Sequence, residues 1–414
     1  MPRQHRRTGL IGLSLVAAVT VAACSSGGNG GTGSSSPAGG TGAALAATGS
    51  PISIGFLNQG QGTITFPDFA AGAQAAGKYL NSHGGIGGHQ VKLDACDSDG
   101  TASSSVACAN RFVQDKVPVV LEGIDELSDS ALPVLAGAHI PLVGHTAFGT
   151  AQANSPDAYF FGAATGAYDV VPLVVMAKNL GLHSVSYTAA DVPADRAFVA
   201  DDLAPAAKAL GLQMSAHYYP VTSPNYASVF ATAASSHPDA LFFTASEPDC
   251  TGLVAAAKTL GYQGKVFAGS CSSFVKQDGA AATGVFTDSD LYLTDDTSGI
   301  SPAAAAQVKI YQAAMADGFG KYQDGFAQDT FSAMMDLAGV LKNVPGTPTG
   351  PAILTALAGI RNVASFMGQQ LNCDGKQWPA EKSVCASGLI EYQVKDGHRV
   401  PFTDGFVNGQ SFVG

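Results

Sequence analysis

Cysteine carries the most reactive side chain in this sequence, and the first of its seven cysteines stands apart from the others. Cys24 ends the run Val21-Ala22-Ala23-Cys24, which follows an uncharged stretch, residues 10–23, preceded by three arginines. The stretch is too short to span a bilayer comfortably, so residues 1–23 are interpreted as an export signal peptide. The run matches a lipobox, in which the cysteine is acylated and becomes the mature amino terminus. We therefore predict lipidation of Cys24; a short amino-terminal anchor helix is the alternative.

The other six cysteines are an even set in a chain predicted to be exported, which favours disulfides over metal or redox ligands. We predict that sequence neighbours pair, because each pair would close a short loop within one strand–loop–helix or strand–loop–strand unit. Loops of this size contribute about 3 kcal/mol each in the chain-entropy model. The predicted pairs are Cys96–Cys108, Cys250–Cys271 and Cys373–Cys385.

Metal, cofactor and catalytic motifs are not found in the sequence. No two cysteines have CxxC spacing, and the nine histidines form neither HExxH nor HxH. Gly60-Gln61-Gly62 begins like a dinucleotide loop, but position 65 is Thr, and no G-x-S-x-G elbow occurs. We predict no metal, no cofactor and no enzymatic activity.

Composition limits the class of partner. The 414 residues are 46% hydrophobic and 13% charged, with a net charge of −11, which excludes a disordered acidic tail and gives no basic footprint for nucleic acid. Removing residues 1–23 leaves 18 basic against 32 acidic residues, or −14. Residues 24–50 contain no charge and are rich in Gly and Ser, which predicts a flexible tether with a reach of about 28 Å.

Short apolar runs alternate with helical patterns from residue 51 onward. Such alternation with short connections predicts parallel βαβ units. Segment 239–274 repeats the pattern of segment 117–149, which predicts two lobes of the same architecture. Predicted strands are 52–57, 91–93, 117–121, 141–144, 183–187, 240–244, 265–268, 385–394 and one from 400 onward, with a turn at Asp396-Gly397; predicted helices are 69–80, 102–116, 130–138, 170–180, 195–210, 226–236, 250–260, 301–318, 325–341 and 350–360.

Several of these segments resemble the type I periplasmic binding proteins of the leucine/isoleucine/valine-binding kind. The matching features are the strand 52–57 with its Gly-rich loop, the run Leu80-Asn81-Ser82-His83-Gly84-Gly85-Ile86-Gly87-Gly88, Val91-Lys92-Leu93 with the acidic loop Asp94/Asp97/Asp99, the strand 140–143, and 226–230 ahead of Pro238-Asp239-Ala240. The order and spacing of the motifs carry the resemblance, which covers residues 51–405.

The resemblance implies an α/β fold of two doubly wound Rossmann-like lobes joined by a hinge of three crossings. Lobe I would comprise 51–163 and 293–371, and lobe II 164–292 and 372–414. Together with the lipobox and the tether, it also implies an extracytoplasmic solute receptor, lipid-anchored to the outer face of a bacterial cell membrane. The receptor would capture a small polar molecule between its lobes and deliver it to the permease subunits of an ABC importer. A ligand-sensing module coupled to a membrane signalling partner is the alternative.

Loops at the carboxyl ends of the strands are expected to hold the ligand. Aligned with amino-acid-binding members, Asp125 takes the place of a lobe I hydroxyl, Thr146 and Ala147 supply backbone donors, and Phe148 takes the place of a second hydroxyl. Cys271 falls where the ammonium-binding acid would be. An aspartate beside a ligand carboxylate costs Coulomb energy, so we expect a ligand other than an ordinary α-amino acid.

Some of the remaining candidates have two possible interpretations, and the others are predicted to bind ligand only because they lie on these loops. Asp125 and Glu126 would suit a cationic or hydrogen-bond-donating ligand, or else face solvent at the head of a helix. Glu247 is either a helix-start acid or a cleft acid. Phe148 and Phe274 would cover an apolar part of the ligand or belong to the core. Further candidates on the same loops are Gln59, Gln61, Asp191, Ser246 and Ser272.

Overall fold

The folded part of the chain begins slightly before the point predicted from composition. The computed structural model describes residues 46–222, 224–269, 271–323 and 326–412, so the predicted signal peptide, Cys24 and most of the predicted tether lie outside the described residues. Ala47 is buried, and its backbone N–H donates to the Asn81 carbonyl over 2.9 Å. The first strand starts at Gly49, so the tether prediction extends too far at its carboxyl end.

The amino-terminal elements alternate as predicted. Helix boundaries follow local chemistry: Pro67 begins the first helix, and the Thr101 side chain caps the second by accepting from the Ser104 N–H. The elements are β1 (Gly49–Gln59), α1 (Pro67–Ser82), β2 (His89–Ser98), α2 (Ala102–Gln114), β3 (Val120–Glu122), α3 (Leu132–Gly137), β4 (Leu142–Gly144), α4 (Thr150–Ala153) and β5 (Ala158–Ala163).

The same alternation restarts after β5. The single helix predicted over 195–210 is two helices separated by a π-helical turn, Val199–Leu203, ahead of Pro205, which has no N–H to donate. The elements are α5 (Ala167–Leu180), β6 (Ser184–Ala190), α6 (Pro193–Phe198), α7 (Ala204–Ala209), β7 (Gln213–Tyr219), α8 (Tyr226–Ala233), β8 (Ala240–Thr244), α9 (Glu247–Thr259), β9 (Lys265–Gly269), α10 (Ser273–Gln277) and β10 (Phe286–Ser289).

The last part of the chain is first helical and then extended, also as predicted. The turn predicted at Asp396-Gly397 joins β14 to β15, and both residues have positive φ. The elements are α11 (Pro302–Ala316), α12 (Ala327–Lys342), α13 (Gly350–Ala358), β11 (Val363–Ala364), β12 (Gln370–Leu371), β13 (Val384–Ala386), β14 (Gly388–Lys395), β15 (His398–Pro401) and β16 (Val407–Asn408).

Two sheets carry the same strand order. In the first, β2-β1-β3-β4-β5 are parallel and β13 adds beside β5. In the second, β7-β6-β8-β9-β10 are parallel, and β14 and β15 extend it with antiparallel pairings. Both parallel parts follow the doubly wound order 2-1-3-4-5. The predicted pair of doubly wound lobes is confirmed; we call the first sheet with its helices lobe I and the second lobe II.

The described chain passes between the sheets three times. It leaves lobe I after β5, returns after β10 and leaves again between β13 and β14. The predicted lobe II segment 372–414 therefore starts too early, because Val384–Ala386 pairs with β5 in the lobe I sheet. The partner of this strand could not be predicted from sequence, because pairing between segments more than 200 residues apart depends on the tertiary fold.

Apolar clusters cover both faces of each sheet. One lies between the lobe I sheet and the helices α1, α11, α12 and α13. Another lies between the lobe II sheet and α8, α9 and α10. The third runs from the α2 face of lobe I through Ala163, Ala164 and Ala167 to the α5 face of lobe II, so these three alanines at the first crossing are buried in apolar surroundings.

Candidate functional site

The carboxyl edges of the two sheets meet at the crossings. The first crossing leaves the carboxyl end of β5, and the second leaves the carboxyl end of β10. Because the strands preceding them are parallel, the loops that follow these strands lie at the same edge of each sheet as the crossings. In doubly wound sheets the ligand binds where the strand order reverses. Those positions lie between β1 and β3 in lobe I, and between β6 and β8 in lobe II.

Where the strand order reverses in lobe I, Gln59 hydrogen-bonds through its side chain to two loops. Its side chain is buried, donates from Nε2 to the Ile64 carbonyl over 3.0 Å and accepts from the Glu126 N–H at 3.4 Å. Gln61 is exposed, and its amide donates to the Asp97 carbonyl over 3.4 Å. Gln59 was expected to face the crevice, but the structure directs its amide into the loops, where it fixes their shape.

Asp125 fits neither of the two interpretations made from sequence. It is fully buried; Oδ2 accepts from the Ser105 hydroxyl over 2.7 Å and Oδ1 from the Leu127 N–H over 3.2 Å. The carboxylate thus points into lobe I and closes a turn, instead of facing ligand or solvent. Glu126 is exposed. Both Asp125 oxygens accept hydrogen bonds inside lobe I, so this carboxylate does not face the ligand. The expected Coulomb repulsion between Asp125 and a ligand carboxylate therefore does not apply.

The loop after β4 presents the predicted donor residues. Thr146 is half-buried, Ala147 is buried, and Phe148 has 46% of its surface exposed. Phe148 is therefore not a core residue. Ile64 and Leu127, on the loops after β1 and β3, are also large apolar residues left exposed. The three residues stand on loops that follow neighbouring strands, and they give the lobe I edge an apolar character.

A buried carboxyl beneath these loops was missed from sequence. Glu122, the last residue of β3, is 1% exposed. With its amide nitrogen turned toward the carboxyl, Gln152 donates to Glu122 Oε2 over 2.8 Å and accepts from the Phe148 N–H over 3.2 Å. Burial, together with nearby Asp125 and Asp129, raises the pKa of Glu122 to about 8, although a hydrogen bond from Ser128 opposes the shift. A largely neutral Glu122 therefore anchors the loops after β3 and β4 at pH 7.

In lobe II, one half-buried carboxylate collects three hydroxyl groups. Asp249, in the first turn of α9, accepts from Tyr226 over 2.6 Å, from Ser246 over 2.8 Å and from Tyr219 over 3.3 Å. The hydrogen bond to Asp249 raises the pKa of Tyr226 to about 12, and burial followed by Asp249 raises that of Tyr219. Asp249 thus gathers three hydroxyl groups into one polar cluster at the carboxyl edge of lobe II. Asp249 lay within a loop predicted to hold ligand, but was not singled out.

A second buried acid at this edge was also missed. Asp169, in the first turn of α5, accepts hydrogen bonds from Tyr187 on β6 and Thr244 at the end of β8. Burial raises the pKa of Asp169 to about 6, although both hydrogen bonds oppose the shift. It thereby ties α5 to the two strands that flank the lobe II reversal. The sequence held no distinctive signal for this role, since an Asp in the first turn of a helix is common.

The remaining lobe II candidates are not gathered into one place. Asp191 is exposed and pairs with Arg196 over 2.7 Å, whereas Ser272 is half-buried at the start of α10. Phe274 is fully buried in the lobe II core, so it is a core residue and does not cover the ligand. For Glu247 only the backbone, at the first residue of α9, is described.

All three predicted disulfide pairings are confirmed. The Cα atoms are 5.6 Å apart in Cys96–Cys108, 6.4 Å in Cys250–Cys271 and 4.3 Å in Cys373–Cys385. Cys250–Cys271 joins the first turn of α9 to the loop after β9, so it fixes two lobe II loops relative to one another. Within the described residues, no group of His, Cys, Asp and Glu side chains has the arrangement needed to hold a metal ion. None of the described helices is long and apolar enough to cross a membrane.

Two doubly wound lobes of equal strand order, joined by three crossings around a crevice, define the type I periplasmic binding protein fold. The family model for periplasmic binding proteins matches residues 51–382, and the chain belongs to this family.

Solved structures share the fold at low sequence identity. LivJ of Streptococcus pneumoniae, a branched-chain amino acid transporter substrate-binding protein in complex with isoleucine, is 17% identical, with a TM-score of 0.66 over 86% of this chain and 99% of that one. The leucine-binding protein LivK of Thermotoga maritima is 18% identical, with a TM-score of 0.67 over 86% and 99%. An ABC transporter substrate-binding protein from Sphaerobacter thermophilus is 18% identical, with a TM-score of 0.71 over 87% and 98%. Among curated proteins no match is found.

Proposed function

We propose that the chain is an extracytoplasmic, lipid-anchored receptor that captures a small amino-acid-like molecule, amine or amide between its lobes and delivers it to an ABC importer. The observation that carries the proposal is the pairing of two carboxyl sheet edges across one crevice, in a chain of the periplasmic binding protein family. Closure of such lobes is favoured by a ligand that contacts both edges at once.

The chemistry of the two edges supports this ligand class. Lobe II offers the Asp249 carboxylate, which is only half-buried and therefore, unlike the fully buried Asp125, keeps part of its surface open to an ammonium or amide group beside its three hydroxyl donors. Lobe I offers the backbone of residues 146–147 and the exposed apolar side chains of Ile64, Leu127 and Phe148. A ligand with a cationic or donor group at one end and an apolar group at the other matches both edges. The solved LivJ structure, which holds isoleucine, agrees with this class.

Anchoring and delivery rest on the amino-terminal sequence. An acylated Cys24 followed by the uncharged Gly/Ser segment 25–50 would hold the receptor within reach of a membrane transporter without fixing its orientation. Mass spectrometry of the membrane-extracted protein tests this part: we expect an acylated Cys24 at the amino terminus. Recovery of chain that still carries residues 1–23 would contradict it.

A thermal-shift screen of amino acids, amides, amines, polyols and sugars tests ligand capture. A bound solute at 100 times its Kd stabilises the receptor by about 2.7 kcal/mol, which such a screen detects. We expect a compound with both an amine or amide and an apolar group to give the largest shift. The largest shift from a sugar or polyol would contradict the proposed ligand class, and turnover of the bound compound would contradict the receptor assignment.

A further inference from the structure

A cluster of charged and hydroxyl side chains lies where the first two crossings leave the sheets. His145 follows β4 directly and Asp290 follows β10 directly. Tyr168 is in the first turn of α5, just after the first crossing, and Asp329 is in the first turn of α12. We call these four residues the hinge cluster. They come from both lobes, and none of them belongs to the predicted ligand contacts.

Asp290 connects the two crossings to lobe I. Its Oδ2 lies 2.9 Å from His145 Nε2 and accepts from the Ala163 N–H, the last residue of β5, over 2.7 Å. The Tyr168 side chain also lies close to the Asp290 carboxylate, and burial together with this carboxylate raises the pKa of the Tyr168 hydroxyl. One side chain thus touches the start of the first crossing, the helix that follows it, and the end of β4.

Asp329 adds a second carboxylate to the same cation. Asp329 Oδ1 is 4.0 Å from His145 Nε2. The side chains of His145 and Asp290 are only 4% and 5% exposed, and that of Asp329 is 22% exposed. When all three groups are ionised, the cluster holds one positive and two negative charges with little solvent to screen them. Protonation of Asp329 leaves a balanced pair.

The fold makes room for this arrangement at Gly162. A Cβ atom there would lie 2.6 Å from Asp290 Oδ2 and 2.8 Å from His145 Nε2, closer than real Cβ contacts. Any side chain at this position of β5 would separate the pair. The Gly162 N–H also donates to the His145 carbonyl over 2.7 Å, which fixes His145 beside it.

The titration of the cluster falls near neutral pH. Burial opposes the charge on His145, but Asp290 and Asp329 outweigh it and raise its pKa to about 9. Burial raises the pKa of Asp329 to about 7, with Asp290 and Asp68 adding to the rise and His145 opposing it. Asp290 keeps a lowered pKa despite its burial, because His145 stabilises its charge. Both raised groups favour the folded hinge at low pH, and this contribution is lost as the pH rises through about 7 and then about 9.

Other acids face the cluster and must be distinguished from it. Asp336 lies further along α12, where it accepts from Ser365 and from the Phe366 N–H within lobe I. Asp288 on β10 lies near Tyr168, and Glu391 is its cross-strand partner on β14. Burial raises the pKa of Asp336 to about 7, so this residue titrates with Asp329 but is bonded away from the crossings.

We propose that the hinge cluster is a proton-operated brace that sets the lobe arrangement. With Asp329 neutral, the His145–Asp290 pair holds the two crossings against the end of β4. When Asp329 is ionised, its carboxylate repels Asp290 and competes with it for His145. The contact between His145 and Asp290 is then weaker, and the hinge is free to move. Because Thr146 follows His145 directly, the brace also acts on the loop predicted to bind ligand.

Trp378, the only tryptophan of the sequence, provides a native reporter. It is 1% exposed and packs against Gly166 at the first crossing. A Cβ atom added at Gly166 would lie only 2.8 Å from Trp378 Nε1. The experiment records Trp378 emission and the radius of gyration of the ligand-free full chain from about pH 5.5 to 8.5. Wild type, Asp329→Asn and Asp336→Asn are compared, with circular dichroism to verify that each is folded.

We expect wild type and Asp336→Asn to show an emission shift and an increase in the radius of gyration with a midpoint near pH 7, and Asp329→Asn to show neither. Glu381 pairs with Trp378 and lies near Asp202, so titration of these acids would alter the emission alone, but such a shift would persist in Asp329→Asn. A transition that survives in Asp329→Asn, disappears equally in Asp336→Asn, or is missing from wild type would overturn the proposal. If Asp329→Asn fails to fold, Asp329→Glu is measured instead. We expect the pH midpoint of its transition to differ from that of wild type. An unchanged midpoint would overturn the proposal.

Discussion

Replacing Glu122 by Gln should stabilise the protein, and the gain should grow with pH. Glu122 is 1% exposed, and burial raises its pKa from 4.5 to about 8. An unfolded chain ionises this group above pH 4.5, whereas the folded chain keeps it protonated until about pH 8. The free energy of unfolding therefore loses about 3 kcal/mol by pH 7 and about 5 kcal/mol above pH 8, relative to its value below pH 4.5.

Glutamine has the shape of the protonated acid but no ionisation to suppress, so Glu122→Gln should recover most of this loss. Melting temperatures of wild type and variant, measured from pH 4.5 to 9, give the comparison. We expect equal values at the acid end and an increase of about 5 °C in the variant at pH 8. Glu126→Gln, which removes an exposed acid four residues further on, should change stability by less than about 0.5 kcal/mol at every pH. A Glu122→Gln variant that is less stable at pH 8, or whose effect does not depend on pH, would refute the neutral-anchor reasoning.

Three further predictions concern the crevice and the lobe II loops. Phe274→Ala should lower the free energy of unfolding by about 3–5 kcal/mol because the ring is fully buried. Phe148→Ala, at an exposed ring, should leave the melting temperature almost unchanged and weaken ligand binding about tenfold in calorimetry. An unchanged affinity would exclude Phe148 from the site. Asp249→Asn should weaken binding of a cationic ligand by about tenfold or more, since it removes the charge with little change in shape; equal affinity would place the charged group elsewhere. Replacing Cys250 and Cys271 by Ser should cost about 3 kcal/mol in non-reducing denaturation, and an unchanged transition would contradict that contribution.

Most of the fold follows from local patterns that are strong in this sequence. The helices α1, α2 and α12 have apolar residues at helical spacing, and the repetition of the strand–helix pattern predicted two lobes. Three strands in the parallel parts of the two sheets were not predicted, and the two-residue strands β11 and β12 were also missed. Ala158–Ala163 is a short apolar run without alternation, which fits a helix or a strand equally well. Gln213–Tyr219 is an edge strand with weak patterning, and Phe286–Ser289 is only four residues long.

The site was less accessible from sequence, because loop orientation depends on tertiary partners. Asp125 was assigned either to the crevice or to solvent, yet its carboxylate points inward to Ser105 on α2, and no local pattern indicates that contact. Asp249 is recognisable as an edge acid only once Tyr219 and Tyr226 are seen to converge on it. His145 precedes the predicted donor Thr146, but its partner Asp290 lies 145 residues further along the chain.

The central claim is that the protein captures a solute between two hinged lobes. Small-angle scattering tests this claim most directly, by comparing the full chain with and without the compound that the thermal-shift screen selects. We expect the ligand to reduce the radius of gyration or to narrow the distribution of lobe separations, and Asp249→Asn and Phe148→Ala to require more ligand for the same change. Identical profiles with and without a saturating ligand, or an unaltered response in both variants, would contradict the account.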